Sequence, residues 1–339
     1  GRRTLLALAA LMTLLSAFLL SVGRGMPLLT VAVALGTVSP SAAEVGPFGA
    51  LEQAMLAQSI HGAARIRAFA IYNLAGSFAI AVGALISSFV APAALLWVFA
   101  LSGLALAACY LSLGPGVELP PGARASPPHQ AAERSPAPAA AGRFGVVERL
   151  TVLFGADALA GGLVVQSFMA YWFHLRFGVD EHALGALFFG ANLLAALSFL
   201  AAERLAGRFG LLNTMVFTHL PSNLLLALVP LMPTFPLAAA ALLARFALSQ
   251  MDVPTRQAYT MAIVPPHERA RAAGLTNAIR PGAQAVSPLL AGIAVQHAAF
   301  GLPFFLAGAV KVVYDLWLYR LFKPVKLREE APAKRRLSG

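Results

Sequence analysis

Charge is what this sequence lacks. Of 339 residues only 12% are Asp, Glu, Lys or Arg, and only 14 are acidic, while 59% are hydrophobic and the mean hydropathy is +0.75. A soluble domain carries about 25% charged residues. A chain so poor in charge cannot enclose its apolar side chains in a water-soluble shape, so a polytopic membrane protein is expected. Cysteine is nearly absent too. Cys109 stands alone in an apolar run, which excludes an intrachain disulfide, and no Cys/His spacing suits zinc. No phosphate-binding P-loop, HExxH or G-x-S-x-G occurs, so no enzyme, metal or cofactor is expected.

Long hydrophobic runs are what the sequence has. A helix crosses a bilayer in about 20 residues. Ten runs reach that length, near 4–22, 26–57, 68–90, 93–113, 147–173, 183–203, 211–232, 235–262, 272–296 and 302–322. They do not alternate polar with apolar, which favours helices over barrel strands. The runs 26–57 and 235–262 exceed a simple span and hold prolines and charges, so tilt, kinks or a cytoplasmic extension are expected there. Residues 114–145 interrupt the pattern with seven prolines and read as a flexible linker. The chain thus divides into 1–113, the linker, 146–322 and a basic tail, 323–339.

The net charge of +11 is a matter of topology. With the N-terminus cytoplasmic, 19 of the 25 Lys and Arg residues fall on the cytoplasmic side. That is the positive-inside pattern, with both chain ends cytoplasmic. It accounts for the basic pI without nucleic acid, and no nucleic-acid motif is present. The expected partners are a small solute, protons and the lipid bilayer, with the protein a monomer.

The two halves repeat one another. Shifting residues 52–85 by 204 gives ten identities in 34 positions, among them Gln53/Gln257, Arg65/Arg269, Arg67/Arg271 and Asn73/Asn277. Duplicated hydrophobic halves place a transport site between repeats. The segments Gly1-Arg2-Arg3 and Leu205-Ala206-Gly207-Arg208-Phe209-Gly210 match parts of G-x-L-A-D-R-x-G-R-R, with Gly207 where Asp is usual. With four spans, a central linker and six spans, the chain resembles the major facilitator superfamily, and within it the bacterial efflux-type members. The resemblance implies an all-α fold with ten of twelve transmembrane helices present, in two pseudo-symmetric halves, beginning at the third helix of the fold. It also implies secondary transport of a small solute by alternating access, with proton-coupled efflux in a bacterial inner membrane. Gly76, Gly83 and the group Ser287-Pro288 with Gly292 echo the family's antiporter motif, but the Gly-Pro pair expected near Gly83 is missing. An uncoupled facilitator, a non-transporting sensor and a lipid-handling protein are the rival readings.

Ionisable side chains at membrane depth cost about 2.5–3.5 kcal/mol each on insertion scales and so need partners or a water-filled cavity. Glu44, flanked by Ser39-Pro40-Ser41 and Gly46-Pro47, is the first proton-coupling candidate, with Asp157 and Asp252 beside it. Asp252 and Arg256 are four apart and can pair along one helix. Under the repeat Arg256 corresponds to Glu52, so these two are gate candidates, together with Arg65, Arg67, Arg269 and Arg271. Gln166, Arg280, Asn73 and Asn277 are candidates for lining the substrate cavity. Arg280 is expected to meet either an anionic substrate group or a carboxylate. Lys311 and Asp315, again four apart, are expected to satisfy each other, and His219 is expected to make a structural polar contact.

Overall fold

The computed structural model describes residues 2–35, 52, 55, 63–114, 145–264, 269–296 and 300–325. The chain folds as two compact units, Gly1–Ala140 and Ala141–Gly339. The described residues are helical, without strands. Glu44 and the linker residues 115–144 lie outside the described residues.

The first unit contains α1 (Arg2–Val22), α2 (Met26–Leu35), α3 (Ala63–Ser87) and α4 (Pro92–Ser112). Pro92 opens α4, a position where a missing N–H costs nothing. α1 packs along α4 and α2. Its close approach to α4 depends on Gly103, since a Cβ built there would fall 2.9 Å from the Ala10 carbonyl and closer still to Thr13. The core is small, with Leu6, Ala7, Ala10, Met55, Ala107 and Tyr110. Phe89 and Trp97 remain more than 70% exposed. A water-soluble unit would bury such side chains, whereas lipid is a satisfactory solvent for them.

The second unit contains α5 (Val146–Gly162), α6 (Gln166–Phe177), α7 (Glu181–Phe209), α8 (Leu211–Leu228), α9 (Phe235–Ser249), α10 (Asp252–Ile263), α11 (Arg269–Gln296) and α12 (Leu302–Phe322). α8 is central and touches α7, α9, α10 and α12, while α5 lies against α11 and α12. Asp180 caps α7 by accepting from the Ala183 amide at 2.8 Å. Gly178, at φ +65°, closes α6 in the left-handed conformation that glycine adopts without strain. Leu150, Phe154, Met215, Val216, Tyr259, Tyr314 and Leu318 form the apolar core on one side of the charged residues described below.

Six helical stretches among the described residues are long and apolar enough to cross a membrane, and Met26–Leu35 and Ile71–Ser87 are shorter apolar helices. Two expected spans turn out to be interrupted. The run 147–173 breaks at Leu163–Val165, between α5 and α6, directly after Gly161-Gly162. Two adjacent glycines weaken the helix, and extended backbone at Val165 starts the next one. The run 235–262 breaks between Ser249 and Asp252. Pro254 then sits in the first turn of α10, where it is tolerated.

Glycine lets helices touch at two further places. A Cβ on Gly162 would lie 2.6 Å from Ser287 Cβ, and one on Gly308 would lie 2.8 Å from Ala227 Cβ. Gly162→Val and Gly308→Val should therefore each lower stability by about 1–3 kcal/mol through overpacking. Thermal unfolding in detergent checks this, with Gly207→Ala, whose new Cβ inside α7 meets nothing within 4 Å, unchanged or more stable as the control.

Candidate functional site

The second unit buries a network of charges around one carboxylate. Asp157 on α5 is 2% exposed. Its Oδ1 accepts from Lys311 Nζ of α12 at 2.5 Å, and its Oδ2 accepts from Arg280 of α11 at 3.0 Å. Arg256 of α10 stands 3.6 Å from the same Oδ2 and donates to Asp252 on its own helix at 2.6 Å. His219 Nε2 of α8 is 3.9 Å from Asp157 Oδ1. Four helices thus deliver partners to a carboxylate on a fifth.

Local sequence makes this convergence feasible. Gly161, one turn after Asp157, lies beside the lysine: a Cβ there would sit in ordinary contact, 3.7 Å from Lys311 Nζ. Phe154, one turn before Asp157, offers its ring to the Arg256 guanidinium at 5.6 Å and packs edge-on against Tyr314. A cation over an aromatic face keeps part of its electrostatic stabilisation after losing water.

A second carboxylate completes the network. Asp315 is fully buried and accepts from Asn223 at 2.8 Å, with His219 Nδ1 also 2.8 Å from it. A neutral His219 that donates from Nδ1 to Asp315 leaves Nε2 facing Asp157. The imidazole therefore stands between two buried carboxylates on separate helices. It also stacks edge-on against Tyr314, at 6.1 Å.

The expectation that Lys311 and Asp315 satisfy each other is overturned. Lysine precedes aspartate here, the less favourable order for an i,i+4 pair. Each finds a closer partner on another helix, Lys311 on Asp157 and Asp315 on His219 and Asn223. The expected Asp252–Arg256 pair does form, and Arg280 meets a carboxylate, Asp157.

The other candidates lie elsewhere. Gln166 accepts from Asn192 at 3.1 Å, away from the charges. Glu52 accepts from Tyr72 at 2.5 Å and from Tyr110. Asn73 is exposed on α3. Arg65 and Arg67 fall early in α3, and Arg269 and Arg271 begin α11, but their side chains and that of Asn277 lie outside the described residues. Glu52 and Arg256 belong to different units, and each has partners within its own.

The polar contact expected of His219 is made, to Asp315 and Asn223, whereas sequence reasoning passed over Asn223. The available signal was Thr218-His219-Leu220-Pro221-Ser222-Asn223, where two amphoteric side chains recur at helical spacing inside an apolar span.

The Major Facilitator Superfamily model matches residues 152–338, more than half of the chain. The chain belongs to this superfamily. An uncharacterized membrane protein of Saccharomyces cerevisiae, YJR124C, is 27% identical, over 95% of this chain and 80% of its own length. Among solved structures, the human organic anion transporter MFSD10 (TETRAN) superposes with a TM-score of 0.64 at 20% identity, covering 94% of this chain and 77% of that one. A bacterial homologue of the iron transporter ferroportin, in its inward-facing state, gives 0.63 at 13% identity over 94% and 82%. At these identities the solved structures establish the fold. The chain is therefore an all-helical, multi-pass membrane protein of a transporter superfamily.

Removing Asp157 strands Lys311 and Arg280, while Arg256 keeps Asp252. Asp157→Asn should destabilise the second unit by about 3–5 kcal/mol, the cost of breaking a buried pair from one side. Adding Lys311→Met to Asp157→Asn should recover part of that loss. Unfolding midpoints of the single and double variants in detergent decide it, and a double variant no more stable than the single one would show that Lys311 is neutralised elsewhere.

Proposed function

We propose that this protein is a proton-coupled secondary transporter of a small solute, working by alternating access, with the Asp157–His219–Asp315 network as its proton-handling element. The observation that supports coupling is the placement of His219 between two buried carboxylates, 2.8 Å from one and 3.9 Å from the other. Histidine takes up and releases protons near neutral pH more readily than any other side chain. A proton on Nε2 faces Asp157 and adds a fourth cation to a carboxylate that three already share. Protonation there weakens contacts to α10, α11 and α12 together. A local charge change thereby biases how these helices pack, the kind of event that shifts a two-state element.

Asp252 and Glu44 belong to the same proposal. Asp252 holds Arg256 near Asp157, and Glu44 is the coupling candidate of the first half. Outward movement of the solute follows the resemblance to efflux-type members, as does a bacterial inner membrane as the location. Cytoplasmic chain ends follow from the distribution of Lys and Arg.

The experiment begins with a thermal-shift screen of solutes on the purified protein, followed by flux of the stabilising solute in proteoliposomes. An imposed pH difference should drive accumulation in the wild type. His219→Gln and Asp315→Asn should reduce gradient-driven accumulation by more than tenfold while retaining solute exchange without a gradient. Flux that ignores the pH difference would establish the uncoupled facilitator, and no flux under any gradient would favour the sensor. Glu44→Gln with unchanged proton-driven flux would remove that residue from the coupling path.

A further inference from the structure

The buried charges of the second unit do not cancel. Arg245, Arg256, Arg280 and Lys311 supply four cations, from α9, α10, α11 and α12. Asp157, Asp252 and Asp315 supply three carboxylates. Asp315 is taken up by His219 and Asn223, and among the described residues no Lys or Arg nitrogen pairs with it. A neutral His219 and Asn223 do not cancel its charge, so three carboxylates stand against four cations and one positive charge is left over.

The imbalance has a definite location. Asp157 is shared by Lys311, Arg280 and Arg256, and Asp252 is engaged by Arg256. Arg245 receives neither. Its Nε is buried and has no hydrogen-bond partner among the described residues, although Asp157 and Asp252 act on it electrostatically from a distance. Its guanidinium rests near the Phe246 ring, at 5.1 Å. Arg245 as a whole is only partly buried, and a cation left without a carboxylate at membrane depth is costly until a guest anion pairs with it.

Access points the same way. The Arg280 side chain is 29% exposed, against 3–10% for Asp157, Asp252, Arg256 and Lys311. It is the most exposed of these five side chains, and its guanidinium still touches Asp157. A guanidinium fork suits carboxylate, sulfonate or phosphate groups, which can accept two parallel hydrogen bonds.

We propose that the transported solute is an organic anion of single negative charge, held by Arg280 with Arg245 as the second cation. One negative charge brings the four cations and three carboxylates to neutrality. A cationic solute would raise the surplus, and a neutral one would leave Arg245 unmatched. Arg280 exchanges the Asp157 carboxylate for that of the solute, while Asp157 keeps Lys311 and Arg256. This inference rests on the transport reading above but not on its proton coupling.

The test uses the full 339-residue chain in detergent at fixed pH. The probes are benzoate, benzenesulfonate, 1-naphthoate and naphthalene-1-sulfonate, with benzamide, naphthalene-1-carboxamide, benzylammonium and 1-naphthylmethylammonium as neutral and cationic members on the same rings. The anionic members should raise the unfolding midpoint saturably, and the neutral and cationic ones should not. Arg280→Gln should weaken anion binding at least tenfold, and Arg280→Lys should retain part of it. Arg245→Gln distinguishes recognition from scaffolding. Among the described residues it removes no hydrogen bond, so it should leave the ligand-free midpoint unchanged or higher while weakening the anion at least tenfold. Stabilisation by the cationic or neutral members, absence of any anion effect, or full anion affinity in both Arg245→Gln and Arg280→Lys would overturn the proposal. Proton-driven flux is read separately. Cation binding with proton-driven flux would sink the anion inference alone, and anion binding without it would sink the coupling alone.

Discussion

The carboxylate of Asp157 answers Lys311, Arg280 and Arg256 at once, and the packing of the second unit depends on that shared charge. Its partners come from α12, α11 and α10, so the ion pairs act as ties between helices that are far apart in sequence. In a bilayer the hydrophobic effect does not draw helices together, because lipid tails are as apolar as leucine. Close contact through small residues and polar ties across helices do that work. Here both occur on the same helix: α5 carries Asp157 for the charges and Gly162 for the approach of Ser287.

The two units solve the same problem with different means. In the first, Gly103 against Thr13 and Ala10 sets the contact of α1 with α4, and among the described residues one carboxylate, Glu52, is held by two phenols. In the second, three carboxylates and four cations share one region. The sequence repeat of ten identities in 34 positions keeps Arg65/Arg269 and Arg67/Arg271 but not the pair Glu52 and Arg256, where the charge is reversed. Divergence at membrane depth is where function is expected to reside, because an ionisable side chain there is too costly to be kept without a use.

Broken helices serve that region. α5 stops at Gly162 and α9 stops at Ser249, so neither expected span continues as one straight rod. Asp252 begins α10 just past the second break, which brings its carboxylate and that of Asp157 to the same guanidinium. Irregular backbone at membrane depth is tolerated where protein buries it or a cavity solvates it.

The sequence alone determined the class of this protein. Low charge, long apolar runs, a proline-rich linker and basic residues gathered on one side leave little besides a multi-pass helical membrane protein, because the bilayer imposes length and composition directly on each segment. It also named Asp157, Asp252, Arg256, Arg280, Lys311 and Asp315 as the charges that require an explanation. Which of them meet was decided by tertiary structure. Spacing by four suggested Lys311 with Asp315, yet both turn to other helices, and His219 and Asn223, up to 96 residues away, complete the set. Helical periodicity tells which side chains share a face. It carries no information on which face of which helix lies opposite, and buried charges are paired across that gap, where geometry selects the partner.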